Sequence, residues 1–290
     1  MDVLKNLNEI PFGNPTFIYY NGFSKLFINC KHDVNLTSFQ PWGEFAMMVK
    51  SDGPIVKFIV DNTPENTAII IYGADFNHPI PEKLYSLFKR CKVIVRYNGI
   101  PNSIVVPGDD RFFENPEFYY PKISLDFKKR KHEVFWRGSC TAERRKDVVN
   151  ALKNIPQTNV KLIKNINWQN SYWNENPKLF AERCEPDEGS KYTIWLSIEG
   201  WGCASDTTRA LMSGCAVIYF RRTSPWFNKY LKHEENCIII EDDIFELLFY
   251  IGKLISNKSY TEQIARNGKM LAELIFKPNF YKHFVLEQLI

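Results

Sequence analysis

The chain has 290 residues, 44% of them hydrophobic and 24% charged, with a formal net charge of +4. That length suits two domains better than one, and the composition is that of a globular protein with a substantial core. So small and dispersed a positive excess excludes a charge-built nucleic-acid surface, and no run approaches the roughly 18 apolar residues of a membrane span.

Seven cysteines (Cys30, Cys91, Cys140, Cys184, Cys203, Cys215 and Cys237) are odd in number and never spaced as CxxC. This argues against a disulfide framework and a zinc site, and for reduced thiols. Met1 to Glu9 holds no apolar run of a secretory signal, so a soluble protein in the cytoplasm is expected.

In chain order, Phe17–Tyr20 predicts a strand that ends at the turn pair Asn21-Gly22, with Lys25–Ile28 as its hairpin partner. Gly43 to Val49 fits a helix or a strand equally. Ile55 to Val60 predicts a strand stopped by Asp61-Asn62 and Pro64. Thr67–Tyr72 is apolar on both faces, as a parallel strand covered by helices would be. It runs into Gly73-Ala74-Asp75-Phe76. Pro81–Arg90 predicts a helix with Pro near its first position, and Lys92–Arg96 the next strand, which together make a βαβ unit. A segment rich in Pro, Asp and aromatics follows, from Pro101 to Pro121, and then the basic run Lys128-Lys129-Arg130-Lys131, which reads as a linker.

The second half opens on Val134-Phe135-Trp136, a short buried strand, broken by Arg137-Gly138-Ser139 and followed from Thr141 by a helical pattern through Val148, Val149 and Leu152. A helix start leaves four N–H groups unpaired and carries about half a positive charge, so this turn suits a phosphate, with Arg137, Arg144 or Arg145 adding bidentate contacts. A plain Ser/Thr-capped helix with a solvated basic face is the other reading. Strands then follow at Val160–Ile163, Tyr192–Ile198, Ala216–Phe220 and Cys237–Ile240. Helices alternate at Ser205–Met212, Ile244–Ile255 (capped by Asp242 or Asp243), Thr261–Phe276 and Asn279–Leu289. Alternation of this kind predicts an α/β fold with ligands beyond the carboxyl ends of the strands.

A second turn of the same kind, Glu199-Gly200-Trp201-Gly202-Cys203-Ala204-Ser205-Asp206, follows the strand Tyr192–Ile198. Gly200 and Gly202 allow close backbone approach, Ser205 or Asp206 can cap, and Glu199 can accept from sugar or ribose hydroxyls; a solvated loop acid is its alternative. Asp75, at the end of the best strand of the first half, is placed either as a general base or as an Asx turn before Pro79. Cys140 and Cys203 lie in the two turns, where a helix start lowers a thiol pKa, and read better as small filler residues. Asp109-Asp110 and Glu241-Asp242-Asp243 are the acidic groups that could hold a divalent metal, the latter better explained as a cap.

Phe135-Trp136-Arg137-Gly138-Ser139-Cys140-Thr141, with Arg144-Arg145 after it, resembles the F-x-R-G-S-x-T signature of the Rumi-like, capsule-associated glycosyltransferases, glycosyltransferase family 90. Lys191-Tyr192, Ser213-Gly214-Cys215-Ala216-Val217, Pro225-Trp226, Asp242-Asp243 and Ile264-Ala265-Arg266-Asn267-Gly268 are similar to further landmarks in the family's order. The resemblance covers about Ala68 to Phe276. It implies a GT-B-type enzyme, two Rossmann-like domains facing a cleft: 1–127 on the acceptor side, 128–270 holding the nucleotide sugar, and a helix over 271–290 packing back on the first. It implies inverting transfer of xylose or glucose from UDP-xylose or UDP-glucose to a hydroxyl of a glycan or glycoprotein, with no obligatory metal or other cofactor; no nucleic-acid partner is expected, on the charge alone.

The resemblance makes Asp75 the catalytic base. Arg137, Gly138, Ser139, Thr141, Glu199, Gly200, Trp201, Gly202, Ser205 and Arg209 become the donor-binding residues. Two departures stand out. Where the family has S-x-R at the donor helix, this chain has Ala204-Ser205-Asp206, with Arg209 one turn later, and it shows neither a signal nor a disulfide pattern, like a compact cytosolic version of the kind that large DNA viruses or bacteria encode. Two other readings stay open: a non-catalytic nucleotide- or glycan-binding module, and a metal-dependent glycosyltransferase centred on Asp109-Asp110. Xylose is favoured over glucose because aromatic residues (Phe76, Phe112, Phe113, Trp173, Trp201) sit in loops expected to line the cleft, where a bulky ring closes the space for a C5 hydroxymethyl group.

Overall fold

The structure, a computed structural model, describes residues 19–20, 24–28, 54–62, 68–72, 92–95, 103–105, 120–122, 125–164, 176–200, 206–222 and 225–289. Its contacts divide the chain into two compact units: Met1–Phe118 with Ser224–Trp226 and Lys277–Ile290, and Tyr119–Thr223 with Phe227–Phe276. Among the described residues no helix is long and apolar enough to cross a membrane.

The first unit carries a five-stranded sheet in the order β1 (Tyr19–Tyr20), β2 (Ser24–Ile28), β3 (Ala68–Tyr72), β4 (Lys92–Val95), β5 (Ser103–Val105). β1 and β2 pair antiparallel with Tyr20 opposite Ser24, so the two expected strands are partners. β2 is antiparallel to β3, and β3, β4 and β5 run parallel, as a βαβ crossover requires. The crossover helix expected at Pro81–Arg90 and the segment Gly43–Val49 lie outside the described residues. One expectation is corrected. Ile55–Val60 is not a strand but lies within helix α1 (Pro54–Asp61), because Pro54 suits a first turn and Ile55 and Ile59, one turn apart, are both fully buried. The Pro-rich stretch Pro101–Pro121 contains β5. The final helix, Pro278–Glu287, belongs to this unit: Val105 N donates to Gln288 Oε1 at 2.9 Å, and Tyr281 and Phe284 pack on the Trp226 ring at 5.4 and 5.3 Å.

The second unit runs β6 (Lys131–Ser139), α2 (Glu143–Leu152), β7 (Thr158–Ile163), β8 (Phe180–Ala181), β9 (Tyr192–Ile198), α3 (Asp206–Met212), β10 (Ala216–Phe220), β11 (Ile238–Ile240), α4 (Ile244–Ser256) and α5 (Lys258–Ile275). Its six strands are all parallel, in the order β11-β10-β9-β6-β7-β8. Counted from β6, that is 6-5-4-1-2-3, the strand order of a doubly wound Rossmann sheet. Every residue of β9 and β10 is buried, which is why neither shows polar alternation in the sequence. Asp243, one of the two expected caps, closes the start of α4 by accepting from Phe245 N and Glu246 N at 2.8 and 3.1 Å. α5 buries Thr261, Ile264, Ala265, Gly268, Ala272 and Ile275, one stripe at helical spacing.

The basic run 128–131 is not a linker. Phe127–Lys129 forms a 3-10 turn capped by Asp126, and Lys131 already begins β6. Arg130, 9% exposed, donates to Leu125 O, Ser213 O and Gly214 O at 2.7–3.0 Å and so closes the end of α3. Nor does Arg137-Gly138-Ser139 break the strand: all three stay in the ladder with β7, opposite Lys161, Leu162 and Ile163. Gly138 is glycine for a packing reason. A Cβ there would lie 2.3 Å from Cζ2 of Trp136, whose ring is 1% exposed and has nowhere to move. Gly138→Ala is therefore expected to overpack this core and destabilise the chain by about 1–3 kcal/mol. Urea unfolding checks this, and an unchanged midpoint would contradict it.

Candidate functional site

In a doubly wound sheet the crevice lies at the carboxyl ends of the strands, where the chain order reverses. Here that point is between β6 and β9. The turn Cys140–Ala142 leaves β6 for α2, and Glu199-Gly200 leaves β9. Arg145, on the first turn of α2, fastens the two together: Nε and Nη2 donate to Ile198 O at 3.2 and 2.8 Å, and Nη1 to Ser139 O and Thr141 Oγ1 at 3.1 and 3.0 Å. Its guanidinium lies 5.5 Å from the Trp136 ring centre. Burial lowers the Arg145 pKa, and Asp206 opposes that shift. At Gly200 too a side chain is barred by close approach, since a Cβ would stand 2.7 Å from Thr141 Oγ1.

Ser139 and Thr141 thus come to the same edge as Gly200, as the sequence anticipates. The start of α2 differs from the plain reading: its N-cap is Ala142, extended and without any side-chain cap. Thr141 spends its hydroxyl on Arg145 instead of capping. Cys140 is no activated thiol, because burial pushes its pKa up. Cys140, Cys184, Cys215 and Cys237 are all free thiols, and Cys237 is pushed up to about 12 by burial.

Three predicted donor residues face inward. Arg137 Nη1 donates to Trp136 O and Asn159 O at 2.8 and 2.7 Å and Nη2 to Asn159 Oδ1 at 2.6 Å, with the guanidinium 4.9 Å from the Phe135 ring centre. Burial lowers its pKa, against Cys184, Tyr192 and Glu188. Arg209 Nε lies 3.4 Å from Asp187 Oδ1, and Asp187 precedes the turn into β9. Its charge therefore sits toward the amino end of a strand roughly 20 Å long, away from Gly200. Glu199 is neither a solvated loop acid nor turned outward: it is 0% exposed, accepts from Tyr219 OH, and accepts from Arg222 N at 2.5 Å. Asp75, Trp201, Gly202, Ser205, the pair Asp109-Asp110 and the loop aromatics Phe76, Phe112, Phe113 and Trp173 lie outside the described residues.

Sequence reasoning gave Asp206 as a cap and passed over Arg221 and Arg222. Asp206 accepts from Ser197 Oγ at 2.6 Å, and burial raises its pKa despite that bond and the nearby Arg145. Arg221 and Arg222 end β10, Glu241 and Asp242 follow β11, and Arg144 reaches them from α2. Arg144 Nη2 meets Asp242 Oδ1 at 2.8 Å, Arg222 Nε meets Asp242 Oδ2 at 2.7 Å, and Arg221 Nη2 meets Glu241 Oε1 at 2.7 Å. Two arginines directly after a buried strand were the available signal. At the opposite, amino edge of the sheet a cavity of about 450 Å³ is lined by Leu125, Asp126, Arg130, Gly214, Arg266 and Lys269 among others.

Neither a family model nor a curated protein matches the chain. Among solved structures it is similar to a sucrose-phosphate synthase from Thermosynechococcus elongatus, at 14% identity over 71% of this chain and 58% of that one, with a TM-score of 0.46. It is similar also to Anabaena HepE in complex with UDP and glucose (12% identity, 71% and 64% covered, TM-score 0.49) and to the pneumococcal O-GlcNAc transferase GtfA in complex with UDP and GlcNAc (14% identity, 71% and 45% covered, TM-score 0.44). The chain spans less than two thirds of each of these three. Its α/β class rests on its own sheet order rather than on likenesses of that size.

Proposed function

We propose that the chain is an inverting glycosyltransferase of the GT-B type that moves xylose, or glucose, from a UDP-sugar to a hydroxyl of a glycan or glycoprotein. The observation that supports this reading is that the end of the F-x-R-G-S-x-T segment, at Thr141, meets Gly200 at the switch point of a Rossmann-ordered sheet, where such sheets take nucleotides. The uncapped start of α2, with Ser139 and Thr141 beside it, presents the positive end of a helix to a diphosphate. Arg145 holds that cradle in shape. Arg137 acts as a fastener between β6 and β7.

In the proposed reaction Asp75 takes the proton of the acceptor hydroxyl. The oxygen attacks the anomeric carbon from the face opposite UDP, the bond from that carbon to the β-phosphate oxygen breaks, and UDP leaves with the electron pair. Donors aimed at the departing diphosphate lower the barrier, because its charge develops there. The other reading, a binding module without chemistry, has one observation in its favour: a buried carboxyl, Asp206, begins α3 where the family places an arginine two residues after a serine. A cytoplasmic location and independence of metal belong to the proposal as well.

A donor screen for UDP release, with and without chelator, tests it; no release from any UDP-sugar would favour the binding module. Asp75→Asn is expected to bind UDP as the wild type does and to lose transfer by at least about 10²-fold. Turnover retained by that variant would remove Asp75 from the mechanism. Arg137→Ala is expected to weaken UDP and uridine alike, since its donors are bound to Trp136 and Asn159. A loss confined to UDP, read by calorimetry, would return Arg137 to the phosphate. On one acceptor, UDP-xylose is expected to exceed UDP-glucose in kcat/KM by about 10–200-fold, the range for one such group in a closed pocket. A ratio at or below one would exclude the xylose preference.

A further inference from the structure

Arg144 is 6% exposed, and no acceptor meets its buried Nε and Nη1. A buried guanidinium with two nitrogens unsatisfied is costly, so it marks a place where a ligand's oxygens would be welcome. The outer side of Arg144 is closed by a single carboxylate. Asp242 gives one oxygen to Arg144 at 2.8 Å and the other to Arg222 at 2.7 Å, bridging two arginines as a phosphate would. Asp242 is held there by an uncommon backbone, φ +62°, while its neighbour Asp243 does the capping of α4. Asp242 is 34% and Arg222 62% exposed, so the plug faces solvent and the arginine behind it does not.

We propose that Asp242 is an internal anion seated in a phosphate site made by Arg144, Arg222 and the first turn of α2, and that a diphosphate binds by displacing it. The site deepens the reading above, on which only the nucleoside part of the ligand rests; the anion chemistry stands without it. Arg222 and Arg144 are neighbouring like charges, and each loses its ion-pair partner when Asp242 swings away, while the buried Glu199 still acts on Arg144, so the pair is poised to accept an anionic group. Asp242 thereby sets a threshold: weak anions do not dislodge it, and a pyrophosphate, with two negative groups, does.

The test is calorimetric titration of the full chain with inorganic pyrophosphate, UDP and uridine. Asp242→Asn removes the charge, keeps an acceptor for Arg144 and suits a left-handed backbone, since Asn is among the residues that adopt it most readily. It is expected to bind pyrophosphate and UDP at least about tenfold more tightly than the wild type, with uridine unchanged. Arg222→Gln is expected to weaken pyrophosphate by about tenfold. Unchanged or weaker pyrophosphate binding in Asp242→Asn, equal tightening of uridine, or no effect of Arg222→Gln would each overturn the proposal. Where Asp242→Asn does not fold, the exposed Arg222→Gln decides alone. Pyrophosphate behaving as expected while UDP gains nothing over it would uphold the anion site and count against the UDP-sugar reading instead.

Discussion

The guanidinium of Arg145 is where the second unit is joined at its carboxyl edge. A single planar group spans the end of β6, the hydroxyl of Thr141 and the last carbonyl of β9, each at hydrogen-bond distance, and rests on the Trp136 ring. A lysine has one point charge and could not serve these acceptors in fixed geometry. The small residues around it follow from that arrangement. Gly138 is covered by Trp136, and Gly200 is pressed against Thr141, so the glycines that look like phosphate glycines in sequence are first of all packing glycines. The ligand contacts proposed for this edge come from the surface that this packing leaves exposed.

Charge in the second unit is distributed by the same logic. Each arginine with an acceptor inside the fold is turned toward it: Arg137 to Asn159, Arg209 to Asp187, Arg130 to the end of α3. Arg144 differs because its partner is a carboxylate at the surface and two of its three nitrogens meet no acceptor. Glu199 and Asp206 are the converse case, buried acids whose oxygens are taken by Tyr219, the Arg222 amide and Ser197. A charged residue near a glycine turn therefore says little about ligands until its internal partners are known.

The sequence made the α/β class legible because β9 and β10 are buried on both faces and read as unbroken apolar runs, and because Asp243 caps a helix with a recognisable side chain; it missed Asn257, which caps α5 ahead of the expected start at Thr261. It misplaced Ile55–Val60, where a short apolar run serves a helix as well as a strand and only the burial of Ile55 and Ile59 on one face decides. It ended β6 too early because a glycine was read as a turn when it was making room for an indole. It saw that the two turns belong together, since strand-to-helix alternation fixes which ends meet. It did not see which way Arg137, Glu199 and Arg209 point, because that depends on Asn159, Tyr219 and Asp187, which lie 22, 20 and 22 residues away.

The nucleoside diphosphate proposed for the carboxyl edge of the second unit would lie across β6, β9 and β10. Hydrogen–deuterium exchange of the full chain, with and without UDP, reads this directly. Slower exchange is predicted for the amides of 139–145, 199–200, 221–222 and 241–243, which ring that edge. Protection confined to 125–130, 213–215 and the α5 residues that line the amino-edge cavity would contradict it.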